Sequence, residues 1–225
     1  MKYKIIIAGC GSISNAWVKN ALEREDACIS ALVDIAEKGP KQLMERHHFT
    51  APVYQDLSEA IQKVSANLVF DTTPPDAHKS VVITALEAGM DVFGEKPMSE
   101  SMEAAEQMVA AAVRTGKRYM VMQNRRFMPG IRTLKKQLDT AGLGKICMVN
   151  VDMFLGAHFT GFRNTMDHPL LVDMAIHTFD EARYLLSEAR PVSAYCQEFN
   201  PPNSWYKGDA SAVAVFEMSD GSVIA

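Results

Sequence analysis

Residues 4–14 read Lys-Ile-Ile-Ile-Ala-Gly-Cys-Gly-Ser-Ile-Ser, an apolar run followed directly by a glycine-rich turn. A short run that is apolar throughout is typical of a strand buried on both faces. The pattern over Ile13–Arg24 predicts a helix, so this stretch predicts a strand–turn–helix unit. Gly9 permits the tight turn, and Gly11 lets a ligand approach the backbone closely. Ser14 replaces the third glycine of the GxGxxG pattern, which predicts slightly looser packing of the helix against the strand.

The same alternation of short apolar runs and helical patterns continues through the first half of the chain. Repeated β-α-β order predicts an α/β fold with a doubly wound parallel sheet covered by helices. Strands are predicted at Lys4–Ala8, Cys28–Asp34, Val53–Tyr54, Asn67–Asp71, Asp91–Phe93 and Arg118–Met122. Helices are predicted at Ile13–Arg24, Pro40–Arg46, Ser58–Val64, His78–Ala88 and Glu100–Thr115, the last with Ser99 as its N-cap.

The pattern changes near residue 124, which predicts one domain over residues 1–123 and a second, α+β domain over residues 124–225. Asp220-Gly221 in the second part is a strong hairpin signal. The other elements predicted there are helices at Gly130–Ala141 and Leu170–Ser187, and strands at Lys145–Leu155, Val192–Glu198 and Ala210–Met218.

Composition excludes several classes of function. The formal net charge is −4, so the chain carries neither the basic surface of a nucleic-acid-binding protein nor a polybasic membrane anchor. No early apolar run is long enough for a signal peptide or a membrane span. Four scattered cysteines without a CxxC pair indicate reduced thiols and a cytoplasmic protein.

The turn after the first strand has the features of a phosphate-binding loop. Amides around Ser12 and Ile13 can face a pyrophosphate, because helix N-termini attract anions. Asp34 ends the second strand, where a carboxylate can accept hydrogen bonds from ribose hydroxyls. Its charge would repel the additional phosphate of NADP, and Ile35 supplies no cation. The pattern predicts dinucleotide binding and favours NAD while leaving NADP open; the alternative is a plain βα turn with a solvated aspartate.

A second motif, Glu95-Lys96-Pro97, follows the strand Asp91–Phe93 at its carboxyl end. Ligands of doubly wound sheets bind at this edge. Lys96 can anchor a substrate hydroxyl or, when desolvated, transfer its proton. A surface ion pair is the alternative.

A third motif, Asp173-Met-Ala-Ile-His177-Thr-Phe-Asp180, lies in a predicted helix. Spacings of four and three place its polar side chains on one stripe. An imidazole can exchange a proton near neutral pH, and a carboxylate one turn away can fix its tautomer. The alternatives are an exposed polar face, a core histidine, and a metal site. We predict no bound metal, because no cysteine or second histidine nearby completes a zinc ligand set.

Together these motifs resemble those of the Gfo/Idh/MocA family of oxidoreductases, named for glucose–fructose oxidoreductase and inositol dehydrogenase. The resemblance implies a Rossmann domain, a second domain with an open, mainly antiparallel sheet, and hydride exchange between NAD(P) and a hydroxyl of a sugar, inositol or related polyol. It extends over nearly the whole chain and rests on GCGSIS at residues 9–14, DTTPPDAH at 71–78, EKP at 95–97, QNRRFMP at 123–129 and DMAIHTFD at 173–180.

The resemblance also implies roles for individual residues. Lys96, Asp173 and His177 match the catalytic positions, which also contact the substrate. From the residues alone, His158 and Arg163 in the polar loop before the third motif are further candidates for substrate contact. The residues that match positions near the cofactor are Gly9, Gly11, Ser12, Ile13, Asp34, Thr73, Pro74, His78, Glu95, Lys96, Asn124 and Arg125.

Two features depart from the family pattern. A glycine-rich stretch is replaced by His168-Pro169-Leu170-Leu171, which predicts a different substrate pocket. Members are also longer, and only four residues follow Gly221, so we expect a truncated sheet. We expect residues 1–225 alone to aggregate, or to bind NAD without turnover, because the second-domain sheet of the family is covered by homo-oligomerisation.

These residues predict a mechanism in which Lys96 and the Asp173/His177 pair face one cleft. His177 would take the hydroxyl proton, Lys96 would stabilise the developing negative charge, and Asp173 would orient the group. The sequence leaves open which of Lys96 and His177 is the base. Three alternatives also stay open: an NAD-using lyase or glycosidase of the same family, a non-catalytic dinucleotide-binding subunit, and a metal-dependent lyase.

Overall fold

The chain consists of two units, Met1–Met122 and Gln123–Ala225, each with its own β-sheet. The computed structural model describes all residues from 1 to 225. No helix is both long and apolar enough to cross a membrane. The assignment of residues 124–225 to substrate binding and oligomerisation stays a prediction.

Six parallel strands form the sheet of the first unit, in the order β3-β2-β1-β4-β5-β6. This order reverses direction between β1 and β4, and the carboxyl ends of the strands at such a point form the ligand-binding edge of a Rossmann fold. The predicted doubly wound sheet is confirmed. Its strands are β1 (Tyr3–Ala8), β2 (Ala27–Val33), β3 (Val53–Tyr54), β4 (Leu68–Asp71), β5 (Asp91–Gly94) and β6 (Tyr119–Val121).

Alternate side chains of β1 pack on opposite faces of the sheet. Ile6 lies in one apolar cluster with Val82 and Met108, whereas Ile5 and Ile7 lie in the other cluster. Because both faces are covered, the strand is apolar throughout rather than alternating. Each isoleucine is at most 1% exposed, and burial of such a side chain contributes about 1.5–3 kcal/mol.

Five helices cover the two faces, and the last of them begins later than predicted. Ser101 is the N-cap of this helix, because its Oγ accepts a hydrogen bond from the amide of Ala104 at 3.2 Å. The prediction of Ser99 as the cap is therefore wrong: its hydroxyl donates to the carbonyl of Ser101. The helices are α1 (Ser14–Leu22), α2 (Lys38–His47), α3 (Leu57–Lys63), α4 (Pro75–Glu87) and α5 (Met102–Thr115).

The second unit contains a four-stranded sheet in the order β7-β10-β9-β8, in which only β7 and β10 are parallel. The predicted mainly antiparallel sheet is confirmed, and so is the turn at Asp220-Gly221, where Gly221 has φ 83°. The long strand predicted over residues 145–155 is wrong. Only the two residues of β7 form a strand in this range, because the partner strand β10 also has two residues. The strands are β7 (Met148–Val149), β8 (Pro191–Phe199), β9 (Ser211–Met218) and β10 (Val223–Ile224).

The helix predicted over residues 170–187 is divided in two. Pro169–Met174 forms a π-helical turn, in which the amide of Ala175 donates to the carbonyl of Leu170, five residues earlier, at 2.7 Å. An α-helix, α7 (Ile176–Leu186), follows and ends at Ser187 with φ 57°. The remaining helical segments of this unit are α6 (Pro129–Thr140) and 3₁₀ turns at Asn124–Phe127 and Gly161–Thr165.

Candidate active site

The turn after β1 brings two loops of the first unit into contact. Gly9 has φ 87°, and a Cβ atom at this position would lie 2.6 Å from the carbonyl oxygen of Thr72 and 2.6 Å from the amide nitrogen of Thr73. A side chain would therefore be strained in conformation and would also collide with backbone. The sequence requires glycine here because the loops after β1 and β4 approach each other.

The start of α1 has the geometry of an anion site. A Cβ atom at Gly11 would meet no protein atom within 4 Å, so the space before it is open, and no side chain caps the helix. Open space beside uncapped amides fits the pyrophosphate of a dinucleotide. Ser14 is fully buried and its hydroxyl donates to the carbonyl of Gly11 at 2.6 Å, while the looser packing of the helix against the strand stays a prediction.

Asp34 is tied to the backbone through both of its carboxylate oxygens. Oδ2 accepts from the amide of Cys10 at 2.7 Å, and Oδ1 accepts from the amide of Ala36 at 2.8 Å. Each oxygen keeps a second lone pair that can accept a ribose hydroxyl. The neighbouring Ile35 is 90% exposed and brings no positive charge to this place.

Cys10 lies inside the glycine-rich turn and remains a neutral thiol. Burial, and then the Asp34 carboxylate, raise the pKa of Cys10 to about 12. Its Sγ lies 3.8 Å from the carbonyl oxygen of Val33. Because the thiol carries no negative charge at neutral pH, it does not repel a phosphate group at the neighbouring amides.

A buried network shapes the loop after β4. Asp71 Oδ2 lies 2.8 Å from His78 Nδ1, and Asp71 Oδ1 accepts from the Thr73 hydroxyl at 2.6 Å. Asp71 and His78 are 0% and 1% exposed. Burial, and then the Asp71 carboxylate, raise the pKa of Tyr119 above its usual range. His78 is thus buried inside the first unit, and its contacts with Asp71 and Thr73 hold the loop that contains Thr73 and Pro74.

Glu95 follows β5 and is fixed by three hydrogen bonds. Its amide donates to the carbonyl of Asp71 at 2.8 Å, its Oε1 accepts from the indole of Trp17 at 2.7 Å, and its Oε2 accepts from the amide of Lys96 at 3.3 Å. Lys96 is partly exposed at the carboxyl edge of the sheet. The sequence pattern gave no sign that Trp17, on α1, bonds to a residue 78 positions away.

Asp173 and His177 of the second unit are both buried, at 0% and 8% exposure. Asp173 lies in the π-helical turn and His177 in the first turn of α7, so the predicted continuous α-helical stripe is wrong. The alternative that this motif forms an exposed polar face is also wrong. Buried titratable groups and π-helical turns are both frequent at functional sites.

Arg163 forms an ion pair with Asp173. Its Nη2 lies 3.3 Å from Asp173 Oδ1, and its Nε donates to Oδ2. The guanidinium also lies 4.5 Å from the ring centre of Phe162 and 5.5 Å from that of Phe159. Arg163 thus balances the charge of the buried carboxylate. Contact between Arg163 and a substrate stays a prediction.

The other loop candidate, His158, belongs to an aromatic cluster. Its ring centre lies 4.9 Å from that of Trp205 and 6.2 Å from that of Tyr206. The Tyr206 hydroxyl bridges to the main chain of Phe159, lying 3.2 Å from both its amide and its carbonyl. The sequence did not indicate that residues 205 and 206 fold against this loop.

Asp180, the third member of the motif, pairs with Arg126. Arg126 Nε donates to Asp180 Oδ2 at 2.8 Å, and this contact links α7 to the 3₁₀ turn that contains Asn124 and Arg125. A metal set of Asp173, His177 and Asp180 is therefore not supported, since each carboxylate has an arginine partner. This pairing could have been anticipated only by knowing the tertiary fold.

A separate group of potential ligand atoms lies in the second unit. One atom from each of His168, Glu198 and Asp209 lies within 4.8 Å of the others. His168 Nδ1 is 3.0 Å from Glu198 Oε2. His168 is 53% exposed in its side chain, so an ordinary surface ion pair explains most of this cluster.

Comparison with known proteins identifies relatives of similar sequence. An uncharacterized protein of Sinorhizobium fredii is 28% identical over 236 residues, which cover 99% of this chain and 64% of the relative. An inositol 2-dehydrogenase/D-chiro-inositol 3-dehydrogenase of Lacticaseibacillus casei is 27% identical over 190 residues, which cover 84% of this chain and 54% of the relative. The chain thus spans between 54% and 64% of the length of these two proteins.

Among solved structures, the chain is similar to myo-inositol dehydrogenase from Lactobacillus casei in complex with NAD(H) and myo-inositol. The TM-score is 0.86 and the identity 25%, and the match covers 100% of this chain and 66% of that chain.

Two family models match successive parts of the sequence. The model GFO_IDH_MocA, described as an oxidoreductase family with an NAD-binding Rossmann fold, matches residues 3–123. The model of the GFO/IDH/MocA C-terminal domain matches residues 131–225. Because the first match alone covers more than half of the chain, this chain belongs to the GFO/IDH/MocA family of oxidoreductases and begins with its NAD-binding Rossmann domain.

Proposed function

We propose that this protein is an NAD-dependent dehydrogenase that oxidises a hydroxyl group of an inositol, a sugar or a related polyol. Inositol dehydrogenases among its relatives support this substrate class. The catalytic residues in this proposal are Lys96, Asp173 and His177, and His158 and Arg163 are additional candidates for substrate contact.

The observation that carries the proposal is the burial of Asp173 and His177. A carboxylate and an imidazole that are less than a tenth exposed reduce the stability of a fold unless they are compensated. Such groups are frequent at functional sites, where burial keeps a proton carrier away from bulk water. In a chain with an NAD-binding domain, the corresponding chemistry is removal of a proton from an alcohol.

The first unit supplies most of the proposed cofactor contacts. The open space at Gly11 and the uncapped start of α1 support pyrophosphate binding, and Asp34 supports ribose binding. The exposed Ile35 provides no cation for the additional phosphate of NADP, which favours NAD. The full set of proposed cofactor residues is Gly9, Gly11, Ser12, Ile13, Asp34, Thr73, Pro74, His78, Glu95, Lys96, Asn124 and Arg125.

In the proposed mechanism, bound NAD supplies the hydride acceptor. The imidazole of His177 takes the proton from the substrate hydroxyl, and the ammonium group of Lys96 stabilises the negative charge that develops on this oxygen. Asp173, with its charge balanced by Arg163, holds the orientation of the group and accepts a hydrogen bond from a neighbouring hydroxyl. The roles of Lys96 and His177 can be exchanged without changing the products.

Measurement of NADH tests the reaction class. The purified full-length protein is incubated with NAD and, in separate samples, with myo-inositol, scyllo-inositol and glucose. Stoichiometric accumulation of NADH with at least one of them is the expected result. Turnover of a glycoside or release of an elimination product without NADH would instead establish a lyase or glycosidase and contradict the proposal.

We further propose that the protein is cytoplasmic and forms a homo-oligomer through its second sheet. Four free cysteines support the first statement. For the second, strand β8 is exposed along most of its length, and Tyr195 and Val213 are 65% and 60% exposed. Sedimentation analysis of the full-length protein should give a mass above that of one chain, and Val213→Lys should lower this mass.

A further inference from the structure

A hydrogen bond in the first unit connects the helix of the glycine-rich motif to the Glu95-Lys96 motif. The indole Nε1 of Trp17 donates to Glu95 Oε1 at 2.7 Å. Trp17 lies on α1, which follows β1, whereas Glu95 follows β5, and β4 separates these two strands in the sheet. The contact therefore crosses the edge where the proposed cofactor site is located.

The position of the indole is fixed by aromatic packing. Its ring centre lies 4.8 Å from that of Phe70 with an interplanar angle of 66°, and Phe70 stacks on Phe93 at 6.1 Å. Trp17 is only 8% exposed. A buried indole N–H needs an acceptor, and a carboxylate is a stronger acceptor than a neutral oxygen. Aromatic packing thus fixes the direction of the indole N–H of Trp17, and the hydrogen bond from this N–H fixes the carboxylate of Glu95.

Glu95 transmits this constraint to its neighbour. Its amide is held by the carbonyl of Asp71, and its second carboxylate oxygen accepts from the amide of Lys96. A rotation of the carboxylate would disturb the hydrogen bond from Trp17 to Oε1 and the hydrogen bond from the Lys96 amide to Oε2. The main chain at Lys96, and hence the direction in which its side chain leaves, is coupled to Trp17.

We propose that Trp17 is a positioning residue, which acts through Glu95 to hold Lys96 in the orientation required for proton transfer. This inference rests on the proposed function insofar as Lys96 takes part in the chemistry. A small displacement of a group in an active site can reduce turnover by up to roughly 100-fold, so even one distant hydrogen bond can be important for rate.

Chemical labelling tests the positioning without any assumption about the substrate. Lysines of the NAD-bound protein are labelled with a trace of acetic anhydride and quantified by peptide mass spectrometry. Trp17→Phe removes the indole donor and retains an aromatic ring beside Phe70. We expect the labelling rate of Lys96 to change at least ~3-fold, as a modest loss of positioning would produce. Lys19, which lies on α1 with Trp17, should keep its labelling rate.

A packing control separates the hydrogen bond from general loosening of the core. Phe70→Leu weakens the same apolar contact but leaves Trp17 and Glu95 intact, and it should leave the labelling of Lys96 unchanged. An equal effect of both variants would overturn the proposal. If Trp17→Phe does not fold, Glu95→Gln carries the test, because it retains an acceptor oxygen for only one of the two donors. Unchanged labelling of Lys96 in Glu95→Gln would likewise overturn it.

Kinetics with NAD and myo-inositol provide the second readout. Trp17→Phe should reduce kcat roughly 10-fold or more, while the Kd for NAD changes less than ~3-fold, as expected for loss of orientation rather than of binding. In a Lys96→Ala background, Trp17→Phe should have no further effect on the residual rate. If the losses of kcat from the two substitutions multiply in the double variant, Trp17 has a structural role that is independent of Lys96. If the parent protein oxidises no polyol, the proposed function fails, and the labelling result still decides the role of Trp17.

Discussion

Asp34 holds two loops through its carboxylate, because one oxygen bonds to the loop that precedes α1 and the other to the loop that precedes α2. One oxygen holds the amide of Cys10 and the other the amide of Ala36, at 2.7 and 2.8 Å. In the proposed function, the same negative charge repels the additional phosphate of NADP. We therefore expect both loop geometry and cofactor preference to depend on this single side chain.

Substitution of Asp34 separates these two effects. Asp34→Asn keeps one acceptor oxygen and removes the charge, so the Kd for NADP should decrease and approach that of NAD. Asp34→Ala should also reduce the difference between the Kd for NAD and the Kd for NADP. In this variant NAD should bind more weakly, because both hydrogen bonds to the backbone are lost. Calorimetric titration of the parent protein and of both variants with each nucleotide measures the six dissociation constants. Equal affinity of the parent protein for NAD and NADP would refute the assignment.

Arg163 stabilises the buried negative charge of Asp173 through an ion pair. Asp173 is fully buried and its guanidinium partner is 23% exposed. Arg163→Met removes the positive charge and keeps most of the side-chain volume. We expect the free energy of unfolding to fall by about 3–5 kcal/mol, the range for breaking a buried ion pair.

Urea denaturation of Arg163→Met measures this loss, and two further variants define its cause. Adding Asp173→Asn should recover a large part of the stability, because the side chain that lost its arginine partner is then neutral. Arg24→Met, which removes an exposed partner of Asp26, should have a much smaller effect. Similar losses in Arg163→Met and Arg24→Met would contradict the role of burial.

At the scale of elements, the strand–turn–helix unit at the N-terminus was predictable because its determinants are local. A buried strand, a glycine with φ 87° and the start of a helix occur within a dozen residues. The π-helical turn at Pro169–Met174 was not predictable, since its i→i+5 bond is a property of packing and its sequence matches an α-helix. The strand predicted over residues 145–155 was too long for a similar reason, because the partner strand of β7 has only two residues.

The two glycines of the first turn should respond differently to the same substitution. Gly9→Ala places a methyl group against Thr72 and strains the backbone, so the free energy of unfolding should fall by at least ~1–3 kcal/mol. Gly11→Ala meets no protein atom within 4 Å and should leave stability nearly unchanged. It should instead weaken NAD binding, because the methyl group projects into the open space.

Denaturant unfolding and calorimetric titration with NAD together measure both effects. The account predicts a stability defect for the variant at position 9 and a binding defect for the variant at position 11. A Gly11→Ala protein with unaltered affinity for NAD would show that the pyrophosphate does not bind at this turn.

At the scale of the whole molecule, fold and family could be predicted from the sequence, whereas the partners of the site residues could not. The order of motifs identified a Rossmann domain followed by a mainly antiparallel sheet, and both are confirmed. The pairs Trp17–Glu95, Arg163–Asp173 and Arg126–Asp180 join residues that are 78, 10 and 54 positions apart. Such contacts depend on how elements pack, and a single sequence contains no periodicity that reveals them.

The proposed oxidation requires His177 and Lys96 together, one to take the hydroxyl proton and the other to stabilise the negative charge on the oxygen. Both roles are tested by the turnover of Lys96→Ala and His177→Ala with NAD and the best polyol of the substrate screen, together with the Kd of each variant for NAD. We expect a loss of kcat of about 10²–10⁴-fold in each variant with the NAD affinity of His177→Ala retained, as is typical for removal of a general acid–base group. Turnover of His177→Ala at the parent rate would refute the proposed mechanism.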